Sequence, residues 1–425
     1  MKNYFKKVIV FLLTHEADLI LRKYKPNVIA ITGSVGKTST KDAVAAALAR
    51  FMYVRKSPKS FNSEFGVPLT ILGAKNPTTT TNIVEWLAVL VKGLDLLLLP
   101  HHYPEWLVLE VGTEQPGDIR DLTRWLKPDI VVVTHLAEVP VHVEQFANPE
   151  ALFREKGYLV EALKSDGVLI LNADDKEVMK YRDRTPAEVV TFNLPKENHY
   201  EIIYDARELP MGISCNVKNV SVKLLGRVGE VHMYPIVIAL TVCEVLGEDL
   251  HAAAKAFENE QPTPGRLRLI DGIRDSIIID DSYNSSPIAI EEALHTLKTI
   301  KKKRGKRKIA VLGDMLELGR YSLEEHKKAG ARAAKSADLL VCVGVRARAI
   351  GDGAVEAGMR EEKILEFNDS RIAGAALAPL VKNGDIVLVK GSQGVRMERI
   401  VLALMAHQEE KEKLLVRHDK EWQAR

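Results

Sequence analysis

Residues 28–40 read VIAITGSVGKTST. An apolar run, Val28–Thr32, ends in a turn bracketed by Gly33 and Gly36 and leads directly into Lys37, Thr38 and an alanine-rich helical stretch to Arg50. A strand, a glycine turn and a helix N-terminus in that order form the context of a phosphate-binding loop. Glycines allow backbone N–H groups to close around phosphate oxygens, and the helix N-terminus favours negative charge. Gly33, Ser34, Gly36, Lys37, Thr38 and Ser39 are therefore expected to bind nucleotide phosphates. Lys37 would reach the β- and γ-phosphates, and the Thr38 hydroxyl would ligate magnesium. Ile31 occupies the first-glycine position of the general GxxxxGK[ST] pattern, so the match is imperfect. Such a site also needs a second magnesium ligand, normally a carboxylate ending another strand. Glu110, which closes the run WLVLE, is the natural candidate.

Outward from this loop, short apolar runs alternate with helical patterns, which predicts an α/β fold with a parallel sheet. Trp106–Val111, Ile130–Thr134 and Gly167–Leu171 read as further strands, with helices at Ile119–Trp125 and Ala151–Leu163. Residues 200–232 are less regular, with alternation at Val217, Val220, Val222 and Leu224. The stretch ENEQPTPG (258–265) breaks the pattern. After it, strands are expected at Ser276–Ile279, Lys308–Leu312, Leu339–Val343, Ile364–Phe367 and Ile386–Val389, with helices between them. The expected organisation is an N-terminal helix (1–27), a central ATP-binding domain (28–262) and a C-terminal Rossmann-like α/β domain (263–425).

Composition narrows the class. The 425 residues are 46% hydrophobic and 28% charged, with a net charge of +3, which gives no case for nucleic-acid binding. The three cysteines are far apart, so a disulfide scaffold is not expected and a reducing cytoplasm is. The N-terminal run Val8–Leu13 is too short to span a bilayer. Leu12, Leu13, Leu19, Ile20 and Leu21 are expected to share the face of a helix packed on the first domain, with a membrane-surface helix as the second reading. The segment WLAVLVKGLDLLLL (86–99) is read as a buried or partner-facing helix.

Further segments give a resemblance. TGSVGKTST (32–40), FNSEFGVPLT (61–70), LEVGTEQPGDI (109–119), HVEQF (142–146) with EK (155–156), DDSYNSSP (280–287), VLGDMLELG (311–319) and VLVKGSQGVRMERIV (387–401) together resemble the Mur ligase family. The resemblance covers nearly the whole chain, and the family's own loop pattern accounts for the missing first glycine. GDMLELG and DDSYNSSP point to the branch that adds D-alanyl-D-alanine to a UDP-N-acetylmuramoyl-tripeptide in peptidoglycan synthesis. The family normally carries a separate N-terminal domain that grips the uridine nucleotide, whereas here only residues 1–27 precede the first strand. The nucleotide end of the acceptor is therefore expected to bind elsewhere, or the acceptor is another carboxylate.

The resemblance implies ATP and Mg2+, small-molecule substrates, and a monomer. It places Lys37, His142 and Lys156 in catalysis. Thr38, Glu110, His142 and Lys156 would be metal ligands, with Lys156 carbamylated. It places Asn172, Arg266, Asp281 and Asn284 on the nucleotide, with Tyr283 shaping the pocket. Asn62, Lys390, Ser392 and Arg396 would contact substrate. Three departures stand out: THLAEVPVH (134–142) is two residues longer than the family's segment, Pro235 replaces an adenine-side asparagine, and Gln393 replaces the arginine after Lys-Gly-Ser. Asn172, Asp174 and Asp175 read equally well as a turn and helix cap, and Asp314 and Glu317 as structural. The implied chemistry is transfer of the γ-phosphoryl group of ATP to a carboxylate, then amine attack on the acyl phosphate. Closure about 258–266 would bring the C-terminal residues to the ATP. Two other readings remain: a related ligase with a different carboxylate acceptor, resembling folylpolyglutamate synthase, and a P-loop ATPase that makes no amide bond.

Overall fold

The computed structural model describes residues 2–57, 65–77, 82–140, 143–194, 200–258, 261–302 and 305–418. Packing divides the chain into two compact units, and each is described by itself. The first holds Met1–Leu136, Gln145–Pro195 and Met233–Phe257; the second holds Ala137–Glu144, Lys196–His232 and Glu258–Arg425. Residues 200–232 thus pack with the C-terminal part of the chain, and the N-terminal helix packs into the first unit.

The first unit contains α1 (Lys2–Tyr24), β1 (Asn27–Thr32), α2 (Lys37–Leu48), β2 (Val54–Lys56), α3 (Gly66–Leu72), α4 (Ile83–Leu98), β3 (Trp106–Glu110), α5 (Asp118–Leu122), β4 (Ile130–Val133), α6 (Pro149–Glu161), β5 (Val168–Asn172), α7 (Lys176–Met179), β6 (Glu188–Phe192), α8 (Met233–Val245) and α9 (Leu250–Ala254). Its six strands form one parallel sheet in the order β2-β3-β1-β4-β5-β6. Side chains alternate across a strand, so Val28, Ala30, Leu107, Leu109, Val131 and Val133 face one core, which also takes Leu13 of α1 and Trp86 of α4. Ile29, Ile31, Val108 and Val132 point to the other side, where α2 packs on α8. Burial on both faces explains why these strands read as continuous apolar runs.

One helical expectation is corrected in phase. On α1 the buried stripe is Ile9, Leu13, Ala17 and Ile20, while Leu12 and Leu19 face outward at 38% and 37% exposure. The spacing i, i+4, i+8, i+11 selects the small Ala17 because a helix packs by periodicity rather than by residue size. On α4, Trp86, Val89, Gly93 and Leu96 are buried, and its opposite face is apolar and exposed. No helix among the described residues is long and apolar enough to cross a membrane.

The second unit opens with β7 (Tyr200–Tyr204), β8 (Pro210–Val217) and β9 (Val220–Leu225), an antiparallel three-stranded sheet. Lys218 and Asn219 join β8 to β9 with φ of 49° and 64°, the backbone of a two-residue hairpin turn. It continues with β10 (Arg268–Gly272), β11 (Ser276–Asp281), α10 (Pro287–Thr299), β12 (Lys308–Gly313), α11 (Ser322–Ala333), β13 (Leu339–Val343), α12 (Arg348–Glu356), β14 (Ile364–Phe367), α13 (Ser370–Leu377), β15 (Ile386–Lys390), α14 (Glu398–Leu404) and α15 (Lys411–Leu414). The sheet order is β10-β11-β15-β12-β13-β14, and β10 alone is antiparallel.

Candidate active site

In the first unit, β1, β3, β4 and β5 all end at one edge of the sheet, and the phosphate-loop residues gather there. The connection leaving β1 runs to one side of the sheet and that leaving its neighbour β3 to the other, and between such strands α/β folds leave a crevice for ligands. Gly33 has φ of 147° and Gly36 of 82°, and Gly36 caps α2 in the left-handed conformation. A Cβ on Gly33 would lie 2.0 Å from the Thr134 Oγ1, so only glycine lets the loop lie against β4. Thr134 holds the loop closed: its hydroxyl donates to the Val35 carbonyl at 2.6 Å, and the Ser34 N–H donates to the His135 carbonyl at 2.6 Å.

Lys37 folds back over this loop, donating to the carbonyls of Gly33 at 2.9 Å and Ser34 at 3.3 Å. Lys156, from α6, reaches the same Gly33 carbonyl at 3.1 Å and is buried. Burial, then the charge of Lys37, pushes the Lys156 ammonium well below the usual lysine range against the attraction of Glu155. The Glu155 carboxylate is itself held by the N–H groups of Ile119 and Arg120 at the start of α5.

The Thr38 hydroxyl donates to Glu110 Oε1 at 3.1 Å, which brings together the two expected magnesium ligands. Glu110 is 2% exposed, and its Oε2 has no hydrogen-bond partner. The Ser34 hydroxyl is likewise buried and unsatisfied. Buried polar atoms normally find partners, so an anionic oxygen without a donor beside a hydroxyl fits a cation, and the turn of N–H groups fits phosphate. Among the described residues no group of three or more His, Cys, Asp or Glu side chains stands ready for a metal. Magnesium is commonly held by one or two carboxylates, waters and substrate phosphates, which this donor set suits. Ser39 occupies the first turn of α2.

Lys41 was not singled out in the sequence. It is wholly buried, donates to the Ser57 carbonyl at 2.9 Å, and lies 4.0 Å from Glu110 Oε2 and 3.4 Å from Asp42. It ties the second ligand strand to the end of β2. Burial lowers its pKa, and Asp42 and Glu110 oppose that. One turn after Lys37 it reads as an ordinary helix lysine, so no local signal marks it.

Asn172 is buried and committed to the fold. Its amide donates to the Thr134 carbonyl at 2.9 Å, and its oxygen accepts from the Asp174 N–H at 3.0 Å. Asp175 caps α7, accepts from the Leu136 N–H at 2.7 Å and pairs with His135 at 2.7 Å. Tyr234 donates to Asp174 at 3.2 Å, and Pro235 is buried within the first turn of α8. Asn62 and His142 lie outside the described residues.

The second unit gathers its own cluster at the carboxyl ends of β11 and β15. Asp281 and Lys390 are register partners on these parallel strands and form a buried ion pair of 2.6 Å. The Lys390 ammonium also donates to the Asn284 carbonyl at 3.0 Å. Arg266 stacks on the Tyr283 ring at 4.1 Å, and burial raises the pKa of Asp281 against the pull of Lys390 and Arg266. Asp280 accepts the N–H groups of Gly265 and Ser282 at 3.1 Å each, and burial lifts its pKa to about 6. Arg417, unmarked in the sequence, donates to the Tyr283 carbonyl at 2.6 Å and pairs with Glu398 at 3.0 Å.

Other expected substrate contacts in this unit are engaged internally. Arg396 pairs with Glu398 at 2.5 Å, and the Ser392 hydroxyl accepts the Leu316 N–H at 2.9 Å. Gln393 begins the short turn Gln393–Val395 after Ser392. Asp314 holds the Ala347 N–H at 2.7 Å, and Glu317 sits in a left-handed turn.

A nucleotide-type loop joined to a strand-end carboxylate and a buried lysine defines a P-loop enzyme of the α/β class. The Mur ligase middle-domain model matches residues 31–243, and the model of the Mur ligase glutamate ligase domain matches 265–393. The chain belongs to the Mur ligase family, whose members are ATP-dependent ligases that form carbon–nitrogen bonds. Two relatives are UDP-N-acetylmuramoyl-tripeptide–D-alanyl-D-alanine ligases. That of Bacillus subtilis is 28% identical over 92% of this chain and 78% of its own length. That of Escherichia coli is 26% identical over 91% and 79%. The crystal structure of the MurF ligase from Thermotoga maritima in complex with ADP superimposes with a TM-score of 0.73 at 26% identity, covering 95% of this chain and 84% of that one.

Proposed function

We propose that this chain joins D-alanyl-D-alanine to the free carboxylate of a UDP-N-acetylmuramoyl-tripeptide at the expense of ATP. The observation that carries the reading is the cluster of Lys37, Thr38, Glu110 and Lys156 around the glycine turn, in a chain similar over most of its length to ligases of that name. The structural likeness to an ADP-bound relative supports ATP as the phosphoryl donor.

The residues act mainly by placing charge. Lys37, now folded onto the Gly33 carbonyl, would turn to the β- and γ-phosphates, while the N–H groups at the start of α2 bind phosphate oxygens. Thr38 and Glu110 would hold Mg2+, which supplies neutralisation of the triphosphate charge. The acceptor carboxylate takes the γ-phosphoryl group, with ADP leaving. The amine of the dipeptide then attacks the acyl carbon, and phosphate leaves with an oxygen of the former carboxylate. Burial and the charge of Lys37 lower the Lys156 pKa, which favours the uncharged amine that combines with carbon dioxide over the form it would take in water. Its carbamylation would set an anion beside the loop, where a second cation needs one. Arg266, Asp281, Asn284 and Lys390 are proposed to serve substrate and nucleotide from the second unit, together with Asn62 and His142.

The test is phosphate release from Mg–ATP by the purified protein with UDP-N-acetylmuramoyl-tripeptide, with and without D-alanyl-D-alanine, with product mass determined. Release that needs both substrates and yields the pentapeptide supports the reading. Bound ATP without release in their presence would move the acceptor to another carboxylate. Turnover indifferent to any amine would make the chain an ATPase.

A further inference from the structure

The first unit carries an apolar surface that its own fold leaves uncovered. On α4, Val84, Leu87, Val91, Leu94 and Leu98 recur at i, i+3, i+7, i+10 and i+14, and their exposures run from 48% to 78%. They form one stripe about 20 Å long at 1.5 Å per residue, on the side opposite the buried Trp86, Val89, Gly93 and Leu96. On α1, Val8, Phe11, Leu12 and Leu19 are also exposed, Phe11 at 69%.

The two stripes adjoin. Lys6 lies over Phe65, which packs on Trp86 near the start of α4. Glu16 abuts Gly93, and Tyr24 donates to the Leu96 carbonyl, so contacts progress in the same direction along both helices. Glu16 and Lys23 of α1 face α4 and stand one step around the helix from Leu12 and Leu19. The half-buried Leu90 and Leu97 of α4 occupy the matching position between its core face and its exposed stripe.

Charge distinguishes the occupants. Cations stand at both ends of α1: Lys6 and Lys7 at one and Lys25 at the other, where Arg22 pairs with Asp18 and the Lys23 ammonium donates to the carbonyls of Leu96, Leu97 and Leu99. The acidic groups of the pair are withdrawn. Glu16 is buried, Asp18 binds Arg22 at 2.7 Å, Asp95 lies 3.0 Å from His101, and Glu85 is half-buried in the first turn of α4. A second copy related by two-fold symmetry would set these cationic ends against like charge. An apolar stripe bordered by lysines and arginines matches the headgroup–acyl boundary of an anionic bilayer. We propose that α1 and α4 together form a docking face that lies in the plane of an anionic membrane surface. Neither helix spans it; the apolar side chains enter the boundary while the cations stay among the headgroups.

The full-length protein is mixed with vesicles of phosphatidylcholine alone or of equimolar phosphatidylcholine and phosphatidylglycerol, and bound protein is measured by sedimentation. Binding is expected to the anionic vesicles and to fall with added salt. Leu87→Asp with Leu94→Asp should weaken it at least about tenfold, because charge on the inserted face opposes burial. Lys6→Glu with Lys7→Glu should weaken it by about tenfold or more through lost attraction to the headgroups. Both variants change exposed positions outside the phosphate loop and should keep the parent's circular dichroism and ATP binding. Failure of the parent to sediment with anionic vesicles at low salt would overturn the proposal. So would equal binding to neutral vesicles, or a concentration-dependent dimer abolished by the Leu87/Leu94 variant in place of vesicle binding.

Discussion

The two units place charged residues at the same kind of location, the carboxyl ends of parallel strands, but pair those charges differently. In the first, Glu110 Oε2 and the Ser34 hydroxyl are buried without a hydrogen-bond partner, the nearest cation to Oε2 being Lys41 at 4.0 Å, and Lys37 and Lys156 converge on one backbone carbonyl. In the second, Asp281 is paired with Lys390, Arg396 and Arg417 share Glu398, and Asp280 accepts two N–H groups. A buried group left without a partner costs free energy, so the first arrangement is built for a ligand that completes it. The second pairs its charged groups with one another, although the Ser282 and Ser285 hydroxyls beside them are buried without a hydrogen-bond partner, and its charged residues must exchange partners to touch a substrate. Charge balance within each cluster, more than residue type, separates a waiting phosphate site from a positioning one.

The contrast predicts unequal effects of substitution. Lys37→Ala should lower ligation about a thousandfold or more, roughly 4 kcal/mol of lost transition-state stabilisation, measured as kcat/KM for product formation. A residual loss of only a few-fold would break the contrast. Glu110→Gln keeps the shape and removes the anion. It should cost about a hundredfold in kcat and raise the magnesium concentration needed for half-maximal rate; an unchanged magnesium dependence would show that Oε2 awaits something else.

The internally paired cluster reports through stability. Burial raises Asp280 from 3.8 to about 6, so the folded protein holds this proton more tightly than the unfolded chain. Its contribution is fully present below about pH 4 and is lost as pH rises through 6. The loss amounts to about 3 kcal/mol. Asp280→Asn should flatten urea-melt stability across that window and be neutral or stabilising at pH 8; an unchanged profile would place the proton elsewhere. Arg266→Ala should have the smallest effect, about a tenfold rise in KM for ATP with kcat less altered, because its ring stack is only half-buried. A larger fall in kcat than in affinity would move Arg266 into the chemical step.

The sequence revealed whatever was contiguous. The strand, glycine turn and Lys-Thr of 28–40 lie in one run, so the loop and its helix were readable, and Glu110 followed because it ends an apolar strand. The hairpin at Lys218–Asn219 escaped because its left-handed turn is made without glycine. The phase of α1 was misjudged because bulky leucines at 12 and 19 outweighed Ala17, which is wholly buried. Lys41 and Arg417 had no local mark, since each acquires its role only when distant segments fold against it: Ser57 and Glu110 for the lysine, Tyr283 and Glu398 for the arginine. Asn172, expected at the nucleotide, joins the ends of β4 and β5, a job for which a short amide is equally suited.

The central claim is that the phosphate loop activates a carboxylate by phosphorylating it. Its most direct test labels the acceptor carboxylate of UDP-N-acetylmuramoyl-tripeptide with oxygen-18 and weighs the phosphate released during ligation. The account predicts one labelled oxygen in each phosphate, because the oxygen that attacks the γ-phosphorus departs with it when the amine displaces the acyl phosphate. Unlabelled phosphate alongside amide product would contradict it.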